Sequence, residues 1–448
     1  MSAPDLQPDV LVVGGGPAGV AAAVALAAMG LRVLLAEQRD CLGGAIHRAY
    51  AGLGRSPVKR NAHHERRWQA LLAQLQQAQQ EGGRLSLQLQ SVFLGVEGAG
   101  RYLLDDRIAA RVRAVRPRAV VLAVGGVERV LPVPGWELPG VSTVGGMQVQ
   151  LKETGEAPQG PILVAGSGPL PLAYAAQLAA AGHPPLALLE RGTPFGTALA
   201  QPGAAFNGLR RWQPVAEALG YARQLWRARV PYHTGCRVTA IEALAQGLRV
   251  TALNQCGQTL VYEVAHLALH DGLEVNQTGL PQQTAAGLPV VWAGDCREVL
   301  GAEAAVQDGR RAAQQVAAAL GQAGTKASLD APLQAARRLQ AALRTLYQAP
   351  ADGTGISPEL APETVVCRCE GLRASGFAAL QGAGSAHEIR VVGRFAMGAC
   401  QGRFCARNAQ ALAAQAGVAF EPQDLHGSVP RWPLRPVSVA ALAAYADN

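Results

Sequence analysis

No two cysteines of this chain stand in C-x-x-C spacing, which removes the redox disulfide on which disulfide-reductase chemistry depends. Uninterrupted apolar runs are missing too: the Ala-rich stretches are broken by Gln, Arg or Gly before they reach the roughly 20 residues a bilayer span requires. Lysine is scarce, with only Lys59, Lys152 and Lys326, and the net charge of +8 is scattered without a basic stripe interleaved with aromatics. Nucleic-acid binding is therefore not expected. Residues 1–8 have neither the basic nor the apolar block of a secretion leader. A cytoplasmic location is expected, with an arginine-rich surface that permits loose peripheral attachment to a membrane.

What is present is a large core. The 448 residues are 49% hydrophobic and 16% charged, which suits two to four folded domains. Near the start, a short apolar strand over 9–13 runs into Gly14-Gly-Gly-Pro-Ala-Gly19, a small-residue helix over 20–29 and a second strand over 32–37. In such a turn Gly14 permits the tight bend, Gly16 lets the backbone approach a pyrophosphate, and Gly19 allows close packing of helix on strand. The helix N-terminus, with Pro17 and Ala18, favours the anion. Glu37, at the end of the second strand, can accept hydrogen bonds from an adenosine ribose.

Further along, a polar helix is expected over 62–80, strands between 85 and 122, and an irregular crossing over 131–140, where three prolines exclude a helix. A second strand-turn-helix follows over 161–181, with its next strand at 186–190. Its fingerprint is altered: Gly166-Ser-Gly168-Pro-Leu-Pro171 has proline at the third glycine position, which puts nicotinamide binding in doubt. Glu190 would favour NAD over NADP. A strand over 288–295 ends in Gly294-Asp295, whose carboxylate can meet a ribityl hydroxyl or act as a helix cap. Helices are expected at 301–320 and 329–346, then a linker over 349–358. Gly44 and Gly125 complete the expected cofactor-binding set. His63 and His64 read as solvent-facing, and Cys41, Cys236, Cys256 and Cys296 as small buried residues.

Four cysteines remain: Cys367-Arg-Cys369 and Cys400-Gln-Gly-Arg-Phe-Cys405. Two such pairs suit a 2Fe-2S cluster held by four thiolates. Zinc competes, although structural zinc pairs usually leave two to four residues between their cysteines. Gly398 and Gly402 are expected to free backbone N–H groups to point at the sulfurs.

The glycine turn, Val124-Gly125-Gly126 and Gly294-Asp295 resemble the two-dinucleotide-domain flavoproteins that include the pyridine-nucleotide disulfide reductases. The four cysteines, with the tail Arg431-Trp-Pro-Leu-Arg-Pro-Val437, resemble the flavin and iron-sulfur subunits of opine oxidases, the B-type subunit of hydrogen cyanide synthase and the alpha subunits of bacterial proline and hydroxyproline dehydrogenases. The cysteine module is similar to bacterioferritin-associated ferredoxin, with C-x4-C in place of C-x2-C. The resemblance implies FAD as cofactor and an α/β fold of two Rossmann-like domains plus a small helical 2Fe-2S domain. The expected bounds are 1–145 and 277–322 for the FAD domain, 146–276 for the second unit, 323–362 for the linker and 363–448 for the cluster domain and tail. It also implies a partner subunit like D-amino acid oxidase that dehydrogenates a C–N bond, sometimes a small ferredoxin-like third subunit, and a quinone-type acceptor. Two readings compete with this electron-transfer role: a self-sufficient NADH-dependent reductase, and a redox-sensing or assembly protein whose cluster is structural.

Overall fold

The computed structural model describes residues 6–51, 58, 61–97, 100–203, 212–277, 279–281, 287, 289–322, 330–348, 360–378, 380, 382, 384–415, 417–421, 424–425 and 432–446. The expected linker over 349–358 lies outside them.

Strand Val10–Val13 is buried at all four positions, the mark of a parallel strand covered on both faces. It pairs in parallel with Val33–Ala36 on one side and Ala119–Leu122 on the other. Leu85–Gln88 and Val290–Trp292 complete a five-stranded parallel sheet. Helices Pro17–Ala28 and Ala302–Ala319 cover one face, and small residues let them close up: a Cβ on Gly309 would stand 2.1 Å from the Ala18 carbonyl oxygen. The first helix begins at Pro17 rather than at 20, because a proline at N1 loses no intrahelical bond. On the other face lies the antiparallel meander Ser91–Glu97, Arg101–Asp106 and Arg111–Val115. Phe93, Tyr102 and Leu104 from it share a core with Leu11, Val13 and Leu122.

Helix Ala62–Gln80 is capped by Asn61, whose side chain accepts from the His63 N–H at 2.9 Å, and it buries Trp68, Leu71 and Leu75. The second Rossmann-like unit is a parallel sheet of five strands in the order Tyr232–Thr234, Ala187–Glu190, Ile162–Gly166, His266–His270 and Val141–Thr143. The last of these lies on the first-domain side of the expected boundary at 145. A second meander, Arg237–Ala243, Leu248–Leu253 and Thr259–Val264, has no counterpart among the expected elements. Residues 131–140 are irregular, as their prolines require, yet Trp136 in that loop is only 3% exposed.

An antiparallel ribbon of Gly126–Glu128 with Leu273–Val275 joins the two units. The strand expected over 288–295 is shorter, because Gly294 turns at φ +74° into a 3-10 helix, Gly294–Cys296. The C-terminal module packs Val366, Phe377, Ile389 and Phe395 around hairpin Val365–Cys367/Leu372–Arg373 and helix Ala406–Gln415. It docks on the body through Trp136 Nε1, which donates to the Val365 carbonyl at 2.5 Å, and through the Arg407–Glu274 ion pair at 2.5 Å. Among the described residues no helix is long and apolar enough to cross a membrane.

Candidate functional site

One cleft of about 1160 Å³ opens at the C-terminal ends of the first sheet's strands, where ligands bind in open α/β sheets. Gly14, Gly16, Pro17, Ala18, Glu37, Gly44, Gly125 and Asp295 all line it. Gly19 and Gly294, expected with them, stand behind the lining. A Cβ on Gly19 would lie 1.8 Å from the Gly14 carbonyl oxygen, and one on Gly294 would lie 2.7 Å from the Ala18 Cβ. They act through packing that shapes the turn.

Glu37 is fixed by backbone: Oε2 accepts from the Gly15 N–H at 2.6 Å and Oε1 from the Arg39 N–H at 2.9 Å. Each oxygen keeps a second lone pair for a ligand hydroxyl. Asp295 Oδ1 accepts from the N–H groups of Leu300 and Gly301 at 3.1 and 3.2 Å, which fixes the loop ahead of helix Ala302–Ala319 and does not cap the helix itself. Burial raises its pKa above the ordinary carboxyl value, offset in part by those two bonds.

Sequence reasoning missed the group that holds this turn. Asp308 accepts from the Gly294 N–H at 2.7 Å, from Arg297 at 2.7 and 2.9 Å and from Arg311 at 2.6 Å. Burial works against its charge, but the two guanidiniums outweigh it and hold the carboxyl below its usual range. Glu128 was also missed. It lines the cleft, takes the Gly145 N–H on both oxygens at 2.8 and 2.9 Å, and meets His270 Nδ1 at 2.7 Å. No local pattern marks either residue, since apart from Arg311, three residues on in Asp308's own helix, their partners come from other elements.

The second glycine turn is filled by the chain itself. The Ser167 hydroxyl donates to the Tyr347 carbonyl at 2.9 Å, and a Cβ on Gly192 would come within 2.7 Å of that same oxygen. Glu190, 2% exposed, is spent on the N–H groups of Gly192 and Gly168 at 2.8 and 3.1 Å. Burial, resisted by those bonds, pushes its pKa up to about 7. Neither Gly168 nor Glu190 reaches the open cleft, in contrast to Gly16 and Glu37.

His63 and His64 are half-buried, each with a carboxylate partner as well as contact with solvent. His63 Nε2 pairs with Glu303 at 3.2 Å, and His64 Nε2 with Glu217 at 3.5 Å, which ties helix Ala62–Gln80 to helix Trp212–Arg227 across the cleft. The Glu217 carboxylate holds the His64 pKa above its ordinary 6.5. A raised folded-state value means the stabilisation is complete below about 6.5 and disappears as pH climbs through the raised value. His64→Gln is thus expected to lower the melting temperature at mildly acid pH and to converge with the unmodified chain in alkali. Parallel melting curves across that range would refute the tie.

The four C-terminal thiols fall into two hydrogen-bonded pairs, Cys367 with Cys405 and Cys369 with Cys400. Among the described residues no three His, Cys, Asp or Glu side chains converge on one point as a single metal ion would require. Cys367 and Cys405 are buried, whereas Cys369 faces solvent. The N–H groups aimed at sulfur differ from the expected ones: Ala396 donates to Cys405 at 3.4 Å, Cys369 and Glu370 to Cys367, and Cys400 to Cys369. Gly398 serves by being small, since its Cβ would lie 2.4 Å from the Cys369 Cβ. Of the other cysteines, Cys236 and Cys296 are buried as expected, Cys41 is half-buried and Cys256 is exposed on a turn.

Residues 8–298 match the family model described as pyridine nucleotide-disulphide oxidoreductase. The chain is 30% identical to the A-type subunit of opine oxidase from Rhizobium meliloti (strain 1021) over 97% of its own length and 98% of that protein's. It is 32% identical to the A-type subunit of opine oxidase from Agrobacterium tumefaciens (97% and 91%) and 30% identical to the HcnB subunit of hydrogen cyanide synthase from Pseudomonas protegens (96% and 96%). Among solved structures, L-proline dehydrogenase from P. horikoshii matches at TM-score 0.63 and 16% identity, over 99% of this chain and 80% of that one. At that identity the likeness concerns the fold.

Proposed function

This chain belongs to the pyridine nucleotide-disulphide oxidoreductase family, and we propose that it is the electron-transfer subunit of a hetero-oligomeric amino- or imino-acid dehydrogenase. The cleft takes FAD, and the four C-terminal cysteines take a 2Fe-2S cluster. The observation that carries the reading is the second glycine turn, where the Ser167 hydroxyl is spent on the Tyr347 carbonyl and Glu190 on backbone N–H groups, which supports electrons coming from a partner rather than from NAD(P)H. The relatives' names support the same reading, since each is one subunit of a larger enzyme.

The residues fit both groups. Gly14, Gly16, Pro17 and Ala18 offer close backbone approach and a helix N-terminus to a pyrophosphate, Glu37 offers carboxylate oxygens to a ribose, and Asp295 stands at the flavin half. The two thiol pairs, Cys367 with Cys405 and Cys369 with Cys400, would supply two ligands to each of two irons. When bound, FAD interconverts two-electron and one-electron transfer and the cluster carries single electrons. The protein's part is to hold the two close while burying Cys367 and Cys405 from water. The C–N bond is oxidised on a partner flavoprotein like D-amino acid oxidase, and a quinone-type acceptor removes the electrons.

The purified chain is expected to contain flavin and iron and to show no bleaching of its anaerobic visible spectrum when NADH is added. Rapid bleaching would make it a reductase in its own right and overturn the reading.

A further inference from the structure

The tail around Leu434 lies outside both dinucleotide-binding units, yet it forms part of the cleft. Leu434, 4% exposed, donates its N–H to the Leu94 carbonyl at 2.7 Å and shares a core with Leu11, Val13 and Phe93. Val13 is the last residue before the Gly14 turn. From the other side, the loop between Cys400 and Cys405 grips the same tail. Gln401 Nε2 donates to the Pro433 carbonyl at 3.0 Å, and Arg403 Nη2 to the Leu434 carbonyl at 3.3 Å.

This docking delivers two guanidiniums, Arg403 and Arg435, to the wall of the cleft. Arg435 Nη1 is buried and has no hydrogen-bond partner among the described residues. A buried N–H without an acceptor is costly, and Arg435 lines the cleft through which an acceptor can reach it. Glu37 and Asp295 in that wall are already held by backbone N–H groups. Guanidiniums suit phosphate oxygens, which they meet with paired charge-assisted bonds.

We propose that Arg435 and Arg403 clamp the pyrophosphate of the bound dinucleotide opposite the Gly14 turn, so that the cysteine loop and the tail are parts of the nucleotide site. The inference rests on the reading that the cleft binds FAD. By linkage, a nucleotide held by the cysteine loop must stabilise that loop to the same degree.

The test uses the full chain stripped of flavin, titrated calorimetrically with ADP, adenosine and FAD. Arg435→Ala and Arg403→Gln are each expected to weaken ADP and FAD by about tenfold or more while adenosine binds as before, because only the phosphate contacts are lost. Arg435→Lys should recover part of the loss. Unchanged ADP affinity in both variants overturns the clamp, as does an equal loss for adenosine, which would signal a misshapen cleft. A wild-type chain that binds ADP but not FAD upholds the clamp if the variants lose ADP, and sinks the flavin reading instead. A wild-type chain that binds neither overturns both.

Discussion

Gly19→Ala is expected to yield a chain with almost no bound flavin and a core weakened by about 3 kcal/mol. The added Cβ would sit 1.8 Å from the Gly14 carbonyl oxygen, a distance no side-chain rotation relieves because the obstacle is backbone. Gly14 cannot yield either. It holds φ at +106°, and its own Cβ position is 2.4 Å from the Ala123 carbonyl oxygen. The helix beginning at Pro17 must therefore move off the strand, and the N–H groups at its start move away from the pyrophosphate position. Flavin-to-protein ratio and melting temperature measure the two effects. Gly82→Ala is the control: nothing lies within 4 Å of its added Cβ, so only the cost of its φ of +73°, about 1 kcal/mol, remains. A Gly19→Ala chain with full flavin would refute the assignment of the cleft.

Cys405→Ala is expected to cut bound iron by about tenfold or more while leaving flavin in place. Cys405 is 1% exposed, is paired with Cys367 and belongs to the module's core with Phe395 and Ala409. Its loss removes one ligand and exposes the other buried one. Alanine preserves the packing better than a polar substitute, so the variant tests ligation rather than folding. Zinc and iron should both be quantified. Zinc in place of iron in the unmodified chain, or iron retained by the variant, would sink the cluster assignment.

The parts of this architecture that the sequence announces are those with local causes. Val10–Val13, the glycine turn and Glu37 are legible because a covered parallel strand must be apolar throughout and the turn admits only glycine where backbone meets backbone. The second turn is equally legible, including Pro171, but nothing local foretells that Tyr347 fills it. The altered fingerprint hints at a lost ligand; it does not say what took its place. His63 and His64 illustrate the same limit. On a polar helix they read as solvated, and only the fold brings Glu303 and Glu217 to them. Asp308 sits in an alanine-rich helix with no motif, though it anchors Gly294. The second meander is hard to read because in strands such as Thr259–Val264 the exposed positions include the apolar Val261, which blurs a regular alternation in the sequence. At the cysteines, the expected N–H donors were glycines, and the fold uses Ala396 at φ +58° instead.

The bond from Leu434 to Leu94 also spans most of the chain. Four of the first sheet's five strands, the glycine turn and the first meander precede residue 123, whereas the fifth strand, Val290–Trp292, and Leu434 follow far behind. The meander itself covers most of the face that carries Leu11 and Val13, and Leu434 adds one further apolar side chain to that core. A chain that lacks Leu434 leaves a gap in that core beside Leu11, Val13 and Phe93. The tail thus closes a core whose other members lie far earlier in the chain, so its loss is felt in the first domain.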